Sequence, residues 1–354
     1  MVQMQELLRQ LVDRNGSDLH LAAGAPPKIR ISGNLVSTDL EPMSAADTKA
    51  LVYSILTTDQ IAAFEKKLEL DFSFGIRDLG RFRTNVFMQR GAVGAVLRMI
   101  PYRVLGFEEL GLPRRVCESL CASPRGLILV TGATGSGKST TLAAMIDHIN
   151  QHRPCHIVSI EDPIEFLHSN KKALVNQREV GSDTLGFGNS LRSVLRQDPD
   201  VVLIGEMRDL ETIEAALMLS ETGHLTFGTL HTSDSIQTIN RIIDVFPHHQ
   251  QQQIRTQLSF SLVGVFCQQL LMTAFGKGRA LASEILLVNT PVRALIRDDK
   301  AHQIYSIIQT SRKIGMQTMN SSLAELTRAG QVTAEDALER SSDPDELKRL
   351  MHRT

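Results

Sequence analysis

The chain has 354 residues, enough for two ordinary domains and for a large core without disulfides or structural metals. Hydrophobic residues make up 42% and charged residues 22%, the balance of a globular protein rather than a disordered one. Lysine and arginine number 38 against 39 aspartates and glutamates, a net charge of −1, so no chain-wide basic footprint for nucleic acid is present.

In chain order, residues 2–14 are predicted as an amphipathic helix, with Leu7, Leu8, Leu11 and Val12 at helical spacing and no apolar signal-peptide segment. GSDLHLAAGAPPKIRISGNL follows as short alternating strands broken by Pro-Gly turns. A helical pattern occupies 44–67 and β-structure 70–100, which with the preceding residues makes a first domain over 1–100. Residues 101–112, opening on Pro101, are expected to link it to a second domain over 113–354. From Gly126 onward, apolar strands (GLILVT, HIVSI, VVLIG, LTFGTL) alternate with helices, which predicts a parallel sheet covered on both faces. After about residue 248 the pattern is mostly helical, with Thr290-Pro291 as an N-cap and first helical position. No stretch approaches 18 uncharged apolar residues, so any membrane role would run through partners rather than insertion. Cys117, Cys121, Cys155 and Cys267 form no C-x-x-C pair, which argues against a zinc module and fits a reducing cytosol.

The sharpest motif is Gly132-Ala133-Thr134-Gly135-Ser136-Gly137-Lys138-Ser139, followed by Thr140. It fits the G-x-x-x-x-G-K-[ST] phosphate loop, expected by chance in about one such chain in a hundred on average residue frequencies. An apolar strand precedes it and a helix follows, as the motif requires. Glycines let successive N–H groups turn toward one anion, and the helix N-terminus adds its positive dipole end. Lys138 is expected to reach the β- and γ-phosphates of ATP, and the Ser139 hydroxyl to ligate Mg²⁺.

Hydrolysis also needs carboxylates. The buried run Val201–Gly205 ends at Glu206, which the strand-end rule puts beside the phosphate loop, as an acid on Mg²⁺, directly or through water. An acid merely exposed after a strand is the alternative. HIVSI ends in Glu161-Asp162-Pro163-Ile164-Glu165. Glu165 is expected to polarise the attacking water, supported by Glu161 and Asp162; a solvated acidic turn is the alternative. His224 precedes the strand LTFGTL and His231 ends it. His231, at the nucleotide end, is a candidate sensor of the γ-phosphate, while a structural role is the default for His224.

Arg81 and Arg83 share a strand face. Arg90-Gly91 fits a two-residue hairpin turn, which pairs Gln89 with Ala92 and sets Arg83 opposite Arg98. Like charges directly opposite are destabilising, so this face suggests an anion or an acidic partner. Trans-acting arginines meeting ATP on a neighbouring subunit are one reading, and a solvent-facing basic hairpin is the other.

GATGSGKSTTLAAMI, SIEDPIEF, VNQREVG, LRQDPDVVLIGEMRD, ETGHLTFGTLHTSDS and INRIIDVFP, with GSDLHL, GRFRTNVF, VLRMIP and GMQTM, cover essentially the whole chain. Together they resemble the Walker A, Asp-box, Walker B and His-box blocks of the PilT-type ATPases of the secretion superfamily. The resemblance implies a PAS-like α+β N-terminal domain, a RecA-like P-loop ATPase domain with helical C-terminal part, and a homohexamer. ATP would sit between the two domains, and nucleotide state would bias the angle between them. It implies ATP-driven type IV pilus retraction and twitching motility, and a cytoplasmic position peripheral to the inner membrane at the pilus base. An inner-membrane platform protein is the implied partner, with a PilU-like paralogue as a second. In motif terms Glu165 becomes the catalytic glutamate, Glu206 the Walker B acid, and His224 and His231 the His box. Arg81, Arg83, Arg98 and His224 become interfacial. The retraction motif A-I-R-N-L-I-R-E is matched by Pro291–Asp298, with Ala294 and Asp298 as departures, which keeps a PilU-like accessory ATPase as an alternative. The absence of a zinc module separates the chain from longer assembly ATPases that resemble PilB. Two readings from other classes are a RecA-like nucleic-acid translocase and a non-hydrolysing nucleotide-binding scaffold ring.

Overall fold

The computed structural model describes residues 2–31, 33–76, 79–100, 103–276 and 278–352. The chain divides into two compact units, 1–103 and 104–354. Of the stretch expected as a linker, Pro101 and Tyr102 lie outside the described residues.

The first unit is α+β. Helix α1 (Met4–Asp13) buries Leu7, Leu8 and Leu11 of the stripe that helical spacing predicts, with Val12 half-buried beside them and Met4 added at its start. Strands β1 (Asp18–Leu21), β2 (Lys28–Ile31) and β3 (Asn34–Ser37) precede α2 (Ala45–Tyr53) and α3 (Thr58–Lys67). Both of these helices open with a capping box, at Ser44 with Asp47 and at Thr57 with Gln60. Strands β4 (Glu69–Ile76), β5 (Gly80–Gln89) and β6 (Ala92–Ile100) complete an antiparallel sheet in the order β3-β2-β1-β6-β5-β4. Arg90 and Gly91 both have positive φ, 50° and 78°, as a type I′ turn needs. Gln89 pairs with Ala92 and Arg83 with Arg98, the register that the turn predicts.

The second unit is α/β. Helix α4 (Arg114–Cys121) leads into β7 (Gly126–Thr131), α5 (Lys138–His152), β8 (His156–Glu161), β9 (Leu174–Glu179), α6 (Phe187–Val194), β10 (Val201–Ile204), α7 (Leu210–Glu221), β11 (Leu225–Leu230), α8 (Ser235–Asp244) and α9 (His248–Ser261). Then come β12 (Leu262–Met272), β13 (Arg279–Leu287) and α10 (Thr290–Arg297), with α11 (Ile304–Thr310), α12 (Met319–Arg328), α13 (Ala334–Arg340) and α14 (Pro344–His352) closing the chain. Strand order is β13-β12-β7-β11-β10-β8-β9, with β13 alone antiparallel to its neighbour.

Strands β7, β10 and β11 are buried at every position, the apolar run that a sheet covered on both faces requires. All six parallel strands point their carboxyl ends the same way, so the loops after β7, β8, β10 and β11 gather at one end. The stretch after 248, expected as mostly helical, contains the β12–β13 hairpin. LVGVFCQQLLM is nearly continuous in apolar residues and buried on both faces, so alternation is lost and a strand is not distinguished from a buried helix. The cap of α10 is Asn289, one residue before the expected Thr290; its Oδ1 accepts the Val292 N–H at 3.1 Å.

Candidate active site

Inside the second sheet, next to its central strand β11, the chain leaves β7 at Thr131, turns through Gly132–Gly137 and enters α5 at Lys138. Gly132 has φ +141°, and a Cβ there would lie 2.4 Å from the Gln268 carbonyl oxygen and 2.6 Å from Ser136 Oγ. The loop therefore closes against β12 only with glycine at this position. Gly137 is the N-cap of α5 at φ +89° and offers no side-chain oxygen to the helix, whose first turn carries no acid. Those N–H groups are left for an anion.

Lys138 Nζ donates to the carbonyls of Gly132, at 2.8 Å, and Ala133, at 3.0 Å, folded back along the loop. Burial lowers its pKa, while the Glu206 and Glu165 carboxylates oppose that shift. Ser136 Oγ is buried without a hydrogen-bond partner among the described residues. Behind the loop, Gln268 on β12 donates from Nε2 to Thr141 Oγ1 at 2.7 Å and ties α5 to the sheet. A glycine turn packed on β12, a lysine folded along it and helix N–H groups that no side chain caps fit a nucleotide's phosphates. Ser139 and Thr140 occupy the first turn of α5.

Beside it, β10 ends at Ile204, then Gly205 and Glu206 follow, before the N-cap Asp209 starts α7 by accepting the Thr212 N–H at 2.8 Å. Strand, acid, cap and helix occupy a few residues, which holds Glu206 at the strand end. Arg208 grips this carboxylate with both arms, Nε to Oε1 at 2.6 Å and Nη2 to Oε2 at 2.7 Å. His231 Nε2 lies 3.0 Å from Oε1. Arg208 and His231 together hold Glu206 below the usual carboxylate range, against the opposing effect of burial. An oxygen donor set of a hydroxyl and a carboxylate suits Mg²⁺, which keeps most of its other ligands as water and phosphate. Among the described residues no group of three or more His, Cys, Asp or Glu could hold a metal ion.

The third strand end, β8, divides its acids. Glu161 is drawn into the protein, accepting from Ser159 Oγ at 2.6 Å and Gln177 Nε2 at 3.1 Å. Burial pushes its pKa up, and those two hydrogen bonds oppose the shift. Asp162 and Glu165 are exposed, and the Asp162–Pro163 peptide is cis.

The two histidines lie at opposite ends of β11. His231 reaches Glu206, whereas His224, about 20 Å back along the strand, has Nδ1 3.0 Å from the Leu219 carbonyl oxygen and 3.1 Å from Thr222 Oγ1. These contacts tie the turn after α7, a structural role within the chain.

Arg81, Arg83 and Arg98 belong to the first unit. Arg83 is exposed, and Arg98 lies directly opposite it. The basic face carries an acid that spacing did not reveal. Asp18, on β1 across from Arg98, accepts from Arg98 Nε at 2.7 Å and lies 3.7 Å from Arg30 Nε. Burial opposes its charge, but the Ser17 hydroxyl and Arg98 outweigh that and lower its pKa. Arg98 and Asp18 are 80 residues apart in sequence, so only the strand order brings them together.

Arg208, Gln268 and Gln177 escaped the sequence reading. Arg208 stands two residues after Glu206, which is the one signal that could have found it. No helix among the described residues is long and apolar enough to cross a membrane.

Comparison with known proteins gives one picture. The profile of the family "Type II/IV secretion system protein" matches residues 2–339. The "Type IV pilus retractation ATPase PilT" of Pseudomonas aeruginosa is 50% identical over 340 residues, 96% of this chain and 98% of its own length. The "Type IV pilus ATPase PilU" of the same organism is 40% identical over 351 residues, 99% of this chain and 91% of its own. The crystal structure of the pilus retraction motor PilT with bound ADP superposes with a TM-score of 0.93 at 51% identity, covering 99% of this chain and all of that one.

Proposed function

We propose, since the chain belongs to the Type II/IV secretion system protein family, that it is an ATP-hydrolysing motor subunit that powers type IV pilus retraction. The observation that carries this reading is the phosphate loop with Lys138 folded into it and Glu206 at the end of β10, one strand beyond β11 at the same end of the sheet, in a chain half identical to a named retraction ATPase along nearly its whole length.

ATP would lie with its phosphates on the N–H groups of residues Gly132–Thr140. Lys138 would exchange the Gly132 and Ala133 carbonyls for β- and γ-phosphate oxygens, the stronger, charge-assisted partners. Ser139 and, through water, Glu206 would hold Mg²⁺, whose chemistry is to neutralise charge on the β- and γ-oxygens. Glu165 accepts a hydrogen bond from the attacking water and orients it in line with the leaving ADP. His231 fixes Glu206 and reports on the γ-phosphate side. The products are ADP and phosphate.

Arg81, Arg83 and Arg98 act in trans, on ATP held by a neighbouring subunit of a homohexamer, with His224 near the contact. Exposure of Arg83 directly opposite Arg98, with one acid nearby for the pair's second member, supports this. The ring would work from the cytoplasmic side at the pilus base against an inner-membrane platform protein.

A strain lacking the gene tests the reading. Hyperpiliated cells that do not twitch are expected, and bald cells would mean assembly instead. Ala294 and Asp298, where the retraction motif has Asn and Glu, favour a second reading as a PilU-like accessory ATPase. Identity of 50% to PilT against 40% to PilU ranks that second. Twitching that survives deletion until a paralogue is also removed would select it.

A further inference from the structure

Glu165 sits in neither a helix nor a strand, yet a catalytic carboxylate must be aimed. The residues that could aim it are on β9, at the edge of the second sheet beside β8. Gln177 and Glu179 are two apart and share one strand face. Gln177 Nε2 donates to the Phe166 carbonyl at 2.8 Å and to Glu161 Oε1 at 3.1 Å, while its Oε1 accepts the His168 N–H at 2.8 Å. Glu179, buried, accepts the Ile164 N–H on Oε2 at 3.1 Å.

The backbone is therefore held at the residue before Glu165, at the residue after it, and again two residues further on. Gln177 uses both amide hydrogens and one lone pair of its oxygen, three of the four hydrogen bonds that a glutamine side chain can make. Glutamate in its place would set an acceptor against the Phe166 carbonyl and the Glu161 carboxylate. Further contacts steady the clamp itself. The Glu179 N–H donates to Asp183 Oδ2 at 2.8 Å, and the Val180 N–H donates to the Glu161 carbonyl at 2.9 Å. None of these hydrogen bonds reaches the phosphate loop.

We propose that Gln177 and Glu179 are positioning residues for hydrolysis, which fix the loop on both sides of Glu165 and so set the direction of its carboxylate toward the attacking water. This rests on the assignment of Glu165 given above. Neither residue touches substrate in this account, so their loss should lower turnover and leave nucleotide affinity alone.

Steady-state and single-turnover phosphate release, with ADP affinity, would be measured on the full assembled chain. Gln177→Leu, Gln177→Glu and Glu179→Ala are expected to lower kcat about tenfold or more, since misaiming a catalytic group by about 1 Å can cost about a hundredfold. ADP affinity should stay at the parent value. Glu179→Gln, which keeps an acceptor for the Ile164 N–H, should recover most of what Glu179→Ala loses. Added to Glu165→Gln, Gln177→Leu should lower single-turnover rate no further, because residues that act as a unit are not additive. Parent-like kcat in Gln177→Leu beside an inactive Glu165→Gln would overturn the clamp. So would a loss that appears in ADP affinity, or one that multiplies on top of Glu165→Gln. Parent-like turnover in Glu165→Gln would instead sink the assignment of Glu165, and the clamp with it. Should Gln177→Leu not fold, the Glu179 pair carries the same test.

Discussion

Lys138 shows how a single side chain can be legible in sequence and still be incompletely described by it. The G-x-x-x-x-G-K-[ST] spacing puts a cation at the start of α5, and the structure adds that this cation is already held by two carbonyls of its own loop. Binding therefore exchanges partners rather than burying a bare ammonium. Lys138→Ala should weaken ATP binding by about ten- to a hundredfold, since a hydrogen bond to a charged group contributes ~1.5–3 kcal/mol. Fluorescent-nucleotide titration reads this directly, and unchanged affinity would remove Lys138 from the site. Glu206 was legible by its strand end, but its two-armed capture by Arg208 was not, because the direction of a side chain after a strand is set by packing rather than by spacing. The clamp on Glu165 escaped for the same reason: polar contacts from an edge strand leave no period in the sequence.

Elements read well where local chemistry decides them. The Arg90-Gly91 turn fixed the β5–β6 register to the residue, because only one turn type accepts two positive φ values in a hairpin of this hand. The β12–β13 hairpin was missed because burial on both faces erases alternation. That hairpin matters to the phosphate loop, since the Gln268 carbonyl packs where a Gly132 Cβ would go. Gly132→Ala should push the loop off β12 and lower ADP affinity at least as much as Lys138→Ala does. Parent-like ADP binding in that variant would show that the close approach is not required.

The antiparallel sheet carries its own pH dependence. Asp18 has a lowered pKa, so it binds fewer protons folded than unfolded. Its contribution is present above the unfolded value of about 3.9 and is lost as pH falls through the lower folded value. Asp18→Asn should cost about 1–2 kcal/mol near neutrality and flatten the acid limb of the first unit's unfolding. Amide exchange in β1 and β6 between neutral and acid pH would check it, and an unchanged acid limb would contradict the assignment.

At the scale of the whole molecule, two sheets of different kinds lie in one chain, and the change from alternating strands to strand–helix repeats predicted the parallel one. The parallel sheet of the second unit followed from that change; the proposed action of the arginine face on a nucleotide of another copy leaves no pattern in a single chain's sequence. Trans action predicts a mixing result. Arg83→Ala subunits keep Glu165, and Glu165→Gln subunits keep the arginines, so each homogeneous ring should turn over at a small fraction of the parent rate. Arginine donation of this kind is worth about 10³–10⁵ in other phosphoryl-transfer enzymes. Mixed rings should recover part of the activity through junctions with one intact group from each. No recovery in rings shown to contain both variants would mean that the arginines act otherwise.

The account depends most on a carboxylate next to a phosphate-binding loop splitting ATP. Phosphate release by assembled Glu165→Gln protein, measured beside its ATP affinity, tests that in one preparation. Turnover reduced by about a hundredfold or more, as loss of a general base commonly gives, with ATP binding intact, is the predicted result. Turnover equal to the parent at saturating ATP would contradict it.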